Sequence, residues 1–164
     1  MLGPVSLIAR HASTVEDALQ RVIRYMPYHS PGMHIRLARS KDLIEMYLSY
    51  DPCVQGGGKQ QLTELSYCVG LACIRMMSQQ DGKDWQLNFQ HAPSLSLARY
   101  RKIFGCQVHF NQPEAALIIP QAVFSTPIDA ANVELREASE RSVSNLIRRH
   151  PLDLGRQVET LAER

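Results

Sequence analysis

Two histidines, a cysteine and three cations crowd the stretch FQHAPSLSLARYRKIFGCQVHF, from Phe89 to Phe110. A thiol beside an imidazole is the raw material of a nucleophilic pair, and the same groups bind zinc. Nucleophilic catalysis by His91 and Cys106 would need a third side chain to orient the base. No Ser, Asp or Glu is placed to do so. A metal would need further convergent ligands. The chain has no Cys-x-x-Cys, and no His stands at ligand spacing from a cysteine pair. We therefore read His91 as a part-buried ring that hydrogen-bonds the backbone at a strand-to-helix turn, and His109 as solvated. Arg99, Arg101 and Lys102 read as the wet face of a short helix, with phosphate or carboxylate binding as the sharper alternative. The loop Gly56-Gly57-Gly58-Lys59 lacks the Ser or Thr and the feeding strand of a phosphate loop. It reads as a connector.

The elements that must position these residues follow from periodicity. A helix over 13–27 is expected, with Ser13 and Glu16 at capping-box spacing, Thr14 as a second candidate cap, and Pro27 as its stop. HIRLARS and LIEMYLSY alternate as an antiparallel hairpin across Ser40-Lys41-Asp42. Residues 60–79 form a helix whose buried stripe is read as Leu62, Leu65, Val69, Ala72, Cys73 and Met76. WQLNFQH places Trp85, Leu87, Phe89 and His91 on one face of a strand. Ser94 is expected to cap the next helix, with Leu97, Tyr100, Ile103 and Phe104 inward and Gly105 as a left-handed C-cap. Val108 and Phe110 then face inward, and ALII is a last short strand stopped by Pro120. The order predicts an α+β domain, a mostly antiparallel sheet of about five strands with packed helices.

Beyond residue 128 the composition changes. Residues 129–164 interleave Arg with Asp and Glu. Asp129 is expected to cap a helix with sparse apolar positions Val133, Leu146 and Ile147, broken at His150-Pro151. Leu154, Val158 and Leu161 mark another amphipathic segment. The predicted organisation is an α+β domain over 1–128 and a charged helical linker or pairing region over 129–164.

The whole chain has 164 residues, 45% of them hydrophobic, and a net charge of +2 from 18 basic and 16 acidic side chains. Such a chain buries a real core, and its charge does not single out nucleic acid as its own partner. Cys53, Cys68, Cys73 and Cys106 read as free thiols of a reducing compartment, so neither disulfide nor metal is expected and a cytoplasmic protein is. No apolar run approaches the ~20 residues of a membrane span. No nucleophile elbow, HExxH or dinucleotide fingerprint occurs, so no enzyme and no cofactor are expected.

Phe89, His91, Pro93, Tyr100, Phe104, Gly105, Val108 and Phe110 form an ordered set that resembles a signature of the N-terminal, arabinose-binding-like sensing domain of AraC-type transcriptional regulators. Leu117, Ile119, Phe124 and Pro127-Ile128 continue the resemblance downstream. Leu2-Gly3 and the stretch Thr14 to Leu19 continue it upstream. The match covers roughly residues 2 to 135. It implies an effector-sensing and dimerising domain that binds a small molecule, forms a homodimer and reaches DNA only through a separate C-terminal helix-turn-helix domain. No such domain is recognised in this chain, which on this reading is a piece truncated at both ends. On that sensing reading Trp85, His91 and Tyr100 are expected as ligand contacts, with Phe89, Phe104, Gly105, Val108 and Phe110 as a structural core motif. The alternative is a structural or protein-interaction domain with no ligand.

Overall fold

The computed structural model describes residues 8–52, 58–129 and 132–149. The first long helix, α1, spans Val15–His29. Its cap is Thr14, extended at φ −138° and ψ 166°, whose hydroxyl accepts from the Asp17 N–H at 3.1 Å. Asp17 in return accepts from the Ser13 N–H at 3.0 Å. The capping residues thus sit one position later than the Ser13–Glu16 spacing suggests, with the acid still in the first turn, where the helix dipole favours it. Pro27 does not stop the helix. It lies exposed in the last turn, where a missing N–H costs one backbone bond, and the helix ends at Ser30, whose N–H reaches the Met26 carbonyl at 2.8 Å.

The expected hairpin forms. Strand β1, Met33–Ser40, pairs antiparallel with β2, Leu43–Tyr50, from Met33↔Tyr50 to Ser40↔Leu43. The two-residue turn between them requires a left-handed residue, and Lys41 supplies it at φ 49°. Helix α2 follows over Gly58–Ser78, then β3 (Gln86–Asn88), α3 (Leu97–Phe104), β4 (Gln107–His109), β5 (Ala116–Pro120), the short α4 (Gln121–Phe124) and α5 (Val133–Arg149). The sheet order is β1-β2-β5-β3-β4. Only β3 and β4 run parallel, as the α3 crossover between them demands. The α+β architecture expected from the sequence is the one observed.

One apolar row crosses all five strands: Leu37, Met46, Leu117, Leu87 and Val108 are successive register partners. The neighbouring row is Arg36, Tyr47, Ala116, Asn88 and His109, on the opposite face. The period-two alternation of each strand thus sorts the sheet into a helix-covered face and a largely polar one. Arg36 lies 4.0 Å over the Tyr47 ring on the polar face. The core gathers Trp85, Tyr67, Tyr100, Phe89 and Phe124, all nearly fully buried. Gly82 is required beside Trp85. At φ 64°, a side chain there would be strained, and its Cβ would stand 2.6 Å from the indole.

Helices α2 and α3 depart from the sequence expectation. Helix α2 does not bury Leu62, Leu65, Val69, Ala72 and Met76, which are exposed. It buries Tyr67, Leu71, Ile74 and Ser78, the neighbouring stripe at the same helical spacing. Tyr67 fixes that choice, because its hydroxyl donates to the Ala115 carbonyl at 2.7 Å and accepts from the Leu48 N–H at 3.2 Å. Helix α3 has Ser96, not Ser94, at its N-cap position, with no capping bond from the side chain, and buries Tyr100 and Phe104 but leaves Leu97 and Ile103 exposed. Ser94 instead bonds the Tyr100 hydroxyl. Gly105 is the left-handed cap expected, at φ 62° and ψ 25°.

Helix α5 begins at Asn132, whose side-chain oxygen accepts from the Leu135 N–H at 2.9 Å. Asp129 accepts from Gln79 at 2.6 Å instead. Of the apolar positions assigned to this helix, Val133 is exposed, while Val143, not singled out, is buried. The side chains of Leu146 and Ile147 lie outside the described residues, as do Leu2-Gly3, Cys53, His150-Pro151, Leu154, Val158 and Leu161.

Candidate functional site

Helices α1 and α2 leave a gap along part of their length. Between them, over the β1–β2 hairpin, lies a cavity of about 800 Å³. Leu19, Val22 and Met26 of α1 form one wall. Leu65, Val69, Cys73, Met76 and Met77 of α2 form another, and Met33, Ile35, Met46 and Leu48 of the hairpin form the floor. Of the α2 side chains left out of the core, Leu65, Val69 and Met76 line the cavity, while Leu62 and Ala72 do not. Gly70 lets the helix approach the floor: a Cβ there would come 3.2 Å from the Met46 methyl. Five of the six methionines line this space. Methionine is flexible and polarisable, and it suits surfaces that repack around a guest. Polar groups are few: Arg10, His29, Ser30, Ser66, Gln79 and Asp129. The volume and the apolar character fall in the range of small-molecule sites. The hydrophobic spacing of α2 was legible, but its partner across the gap was not.

The residues expected from the sequence to contact ligand stand elsewhere. Trp85 and Tyr100 are each 1% exposed, and none of Trp85, His91 and Tyr100 lines the cavity. They belong to the end of the core around β3 and α3. Phe89 packs against Phe104 at 5.5 Å and Phe110 at 5.6 Å between ring centroids. Tyr100 meets Phe110 edge-on at 4.6 Å. His91 lies 5.0 Å from Phe89, with its side chain four-fifths buried. Its Nδ1 is 2.9 Å from the Ala92 carbonyl, which only accepts, so that nitrogen carries the proton.

One residue draws this cluster to α2. Glu64 accepts from the Tyr100 hydroxyl at 2.9 Å and from Gln60 at 3.3 Å, and lies 3.4 Å from His91 Nε2. A Glu on an amphipathic helix carries no signal in sequence that it will meet a tyrosine thirty-six positions on. Arg75 makes a second tie, donating to the Gly105 carbonyl at 3.0 Å and lying 5.8 Å over Trp85.

Cys68, Cys73 and Cys106 are free thiols. Burial pushes the pKa of Cys73 and of Cys106 up, away from the thiolate that a nucleophile requires. No group of three metal-ligating side chains occurs among the described residues. No helix among them is long and apolar enough to cross a membrane.

The α1 wall of the cavity is tied to α5. Arg21 bonds both Asp17, at 2.7 Å, and Glu140 of α5. Arg136 of α5 approaches Asp17 at 3.9 Å. Burial works against the Asp17 carboxylate, but the Ser13 N–H and the Arg21 guanidinium outweigh it and hold its pKa below the usual range. The charged segment is thus partly docked rather than merely exposed: two of its charges meet α1, while Arg141 pairs within its own helix with Glu137 at 3.6 Å.

The profile of a family described as the arabinose-binding domain of AraC transcription regulators, N-terminal, matches residues 1–128. The HTH-type transcriptional regulator VirS of Mycobacterium tuberculosis, in strains CDC 1551 / Oshkosh and H37Rv, is 26% identical over 165 residues, covering 100% of this chain and 48% of VirS. The crystal structure of the transcriptional regulator CdpR from Pseudomonas aeruginosa superposes with a TM-score of 0.67 at 19% identity, over 84% of this chain and 45% of that one. The chain spans about half the length of the curated relatives it matches.

Proposed function

This chain belongs to the N-terminal arabinose-binding domain family of AraC transcription regulators, and from that premise we propose that it is the effector-sensing domain of such a regulator, with the space between α1 and α2 as its effector site. The cavity of about 800 Å³ carries this reading. It is apolar and walled by two separate helices, so that a guest bridging them would change how they pack. One of those helices holds α5 through Arg21 and Glu140. We infer that α5 passes the state of the cavity to a DNA-binding domain on the same polypeptide. Pairing into a homodimer and residence in the cytoplasm are part of the same proposal.

Within this proposal Trp85, His91 and Tyr100 act as support rather than as ligand contacts. Glu64 joins them to α2, so they set the position of the cavity wall from behind. Effector binding should therefore survive His91→Ala more readily than a substitution on the wall. The test is hydrogen exchange of α5 amides in the full-length regulator, with and without an effector found by screening. Altered protection in α5, lost in Glu140→Ala, supports transmission. Unaltered protection in α5 on saturation rejects it.

A second reading is an interaction domain with no ligand. The exposed apolar side chains Leu62, Leu65, Val69 and Met76 of α2 favour it. Sedimentation of Leu62→Lys separates the two, since Leu62 lies outside the cavity. A loss of self-association with effector binding intact would assign Leu62 to pairing and the wall to sensing.

A further inference from the structure

Resting on the effector site proposed above, we infer that the cavity takes an unbranched aliphatic chain with an anionic head, a medium-length alkanoate, rather than a sugar. The wall contributed by α2 runs from Leu65 to Met76, about 16 Å at 1.5 Å per residue. That is a trough, longer than a compact pentose needs. Among the described residues no Phe, Tyr or Trp ring lines it, and those are the rings on which a sugar face usually packs. Its surface is mainly aliphatic and thioether, which rewards methylene groups more than a ring of hydroxyls. Of its few polar groups, Gln79 and Asp129 already bond to each other at 2.6 Å.

The head group follows from charge. Arg10 lines the cavity, is exposed, and has no ion-pair partner among the described residues. A carboxylate would pair with it at low desolvation cost, while the chain lies along Val22, Val69 and Met46. The methionines would adjust to chains of differing length.

The experiment is calorimetric titration of the whole chain with n-alkanoates from hexanoate to dodecanoate, the matching n-alkanols, and L-arabinose. Each added methylene should tighten alkanoate binding about fourfold, equivalent to ~0.8 kcal/mol, until the trough is full. The alkanols should bind more weakly, and Arg10→Gln should remove that difference. Val69→Trp fills the trough and should abolish binding. Leu65→Trp, at a position 61% exposed, serves if the first variant does not fold. Affinity independent of chain length overturns the inference. Saturable binding of L-arabinose that Val69→Trp abolishes, with no alkanoate binding, overturns the ligand class and leaves the effector site standing. Alkanoate binding unchanged in both filled variants overturns the site as well.

Discussion

Arg21 of α1 holds Glu140 of α5, next in sequence to Val22, which lines the cavity. Consecutive residues of one helix thus face a proposed guest and the segment that would report it. A shift of α1 by even a fraction of a turn moves both. Packed helices have few alternative arrangements, so small displacements pass on as discrete ones.

This pairing should be measurable as coupling. Both side chains are about a quarter exposed, so screening limits the interaction to roughly 0.2–1 kcal/mol. A double-mutant cycle of Arg21→Ala and Glu140→Ala, followed by urea unfolding, should give a coupling in that range. Additive single effects would mean that the two helices are held together by other contacts.

Tyr67 sets the face that α2 turns inward, through its hydroxyl between Ala115 and Leu48. Tyr67→Phe should cost about 1–3 kcal/mol, the usual effect of stripping a partner from buried polar groups. Burial pushes the phenol pKa well up from its ordinary value. The folded protein thus favours the neutral form, so this contribution is complete below pH ~10, where the unfolded chain ionises, and falls as pH rises beyond it. Alkaline titration by tyrosinate absorbance should show that Tyr67, identified as the signal lost in Tyr67→Phe, ionises only with unfolding. Its ionisation with the exposed tyrosines, in a folded chain, would contradict this.

Phe104 is 3% exposed, stacks with Tyr100 and packs at a tilt against Phe89. Phe104→Ala should lower stability by about 3–5 kcal/mol in thermal or urea unfolding. An unchanged melting curve would show that α3 does not anchor this end of the sheet.

Much of this fold was legible because its signals are local. The alternation of Trp85, Leu87 and Phe89, the hairpin turn at Lys41-Asp42 and the left-handed Gly105 each depend on a few neighbouring residues. What was not legible depends on distant partners. Helix α2 carries two apolar stripes, one through Tyr67 and Leu71 and one through Leu65 and Val69. Periodicity shows both and cannot say which meets the sheet. Ser94 and Asp129 look like caps in sequence, but Tyr100 and Gln79 claim those two side chains from elsewhere, and the N-cap positions fall to Ser96 and Asn132. The cavity is a gap between elements, and no residue pattern announces a gap.

The arginines of α5 that form ion pairs among the described residues meet acids: Arg136 meets Asp17, and Arg141 meets Glu137. With a net charge of +2, residues 1–164 should bind operator DNA no better than random DNA at physiological salt. A gel-shift comparison with the same chain joined to a C-terminal helix-turn-helix domain checks this. Salt-resistant, sequence-selective binding by this chain alone would require a DNA-contact surface on the domain itself.

The most direct test of the central claim uses the methionines. Met26, Met33, Met46, Met76 and Met77 line the cavity, and their methyl groups report on whatever enters it. Methyl-labelled protein is titrated with a panel of small molecules that includes n-alkanoates and L-arabinose, with binding followed in parallel by calorimetry. The account predicts that a compound which binds shifts several of these five methyl resonances together, and that Val69→Trp removes both the heat and the shifts. A compound that binds tightly while leaving all five unmoved would place the effector site elsewhere and contradict the claim.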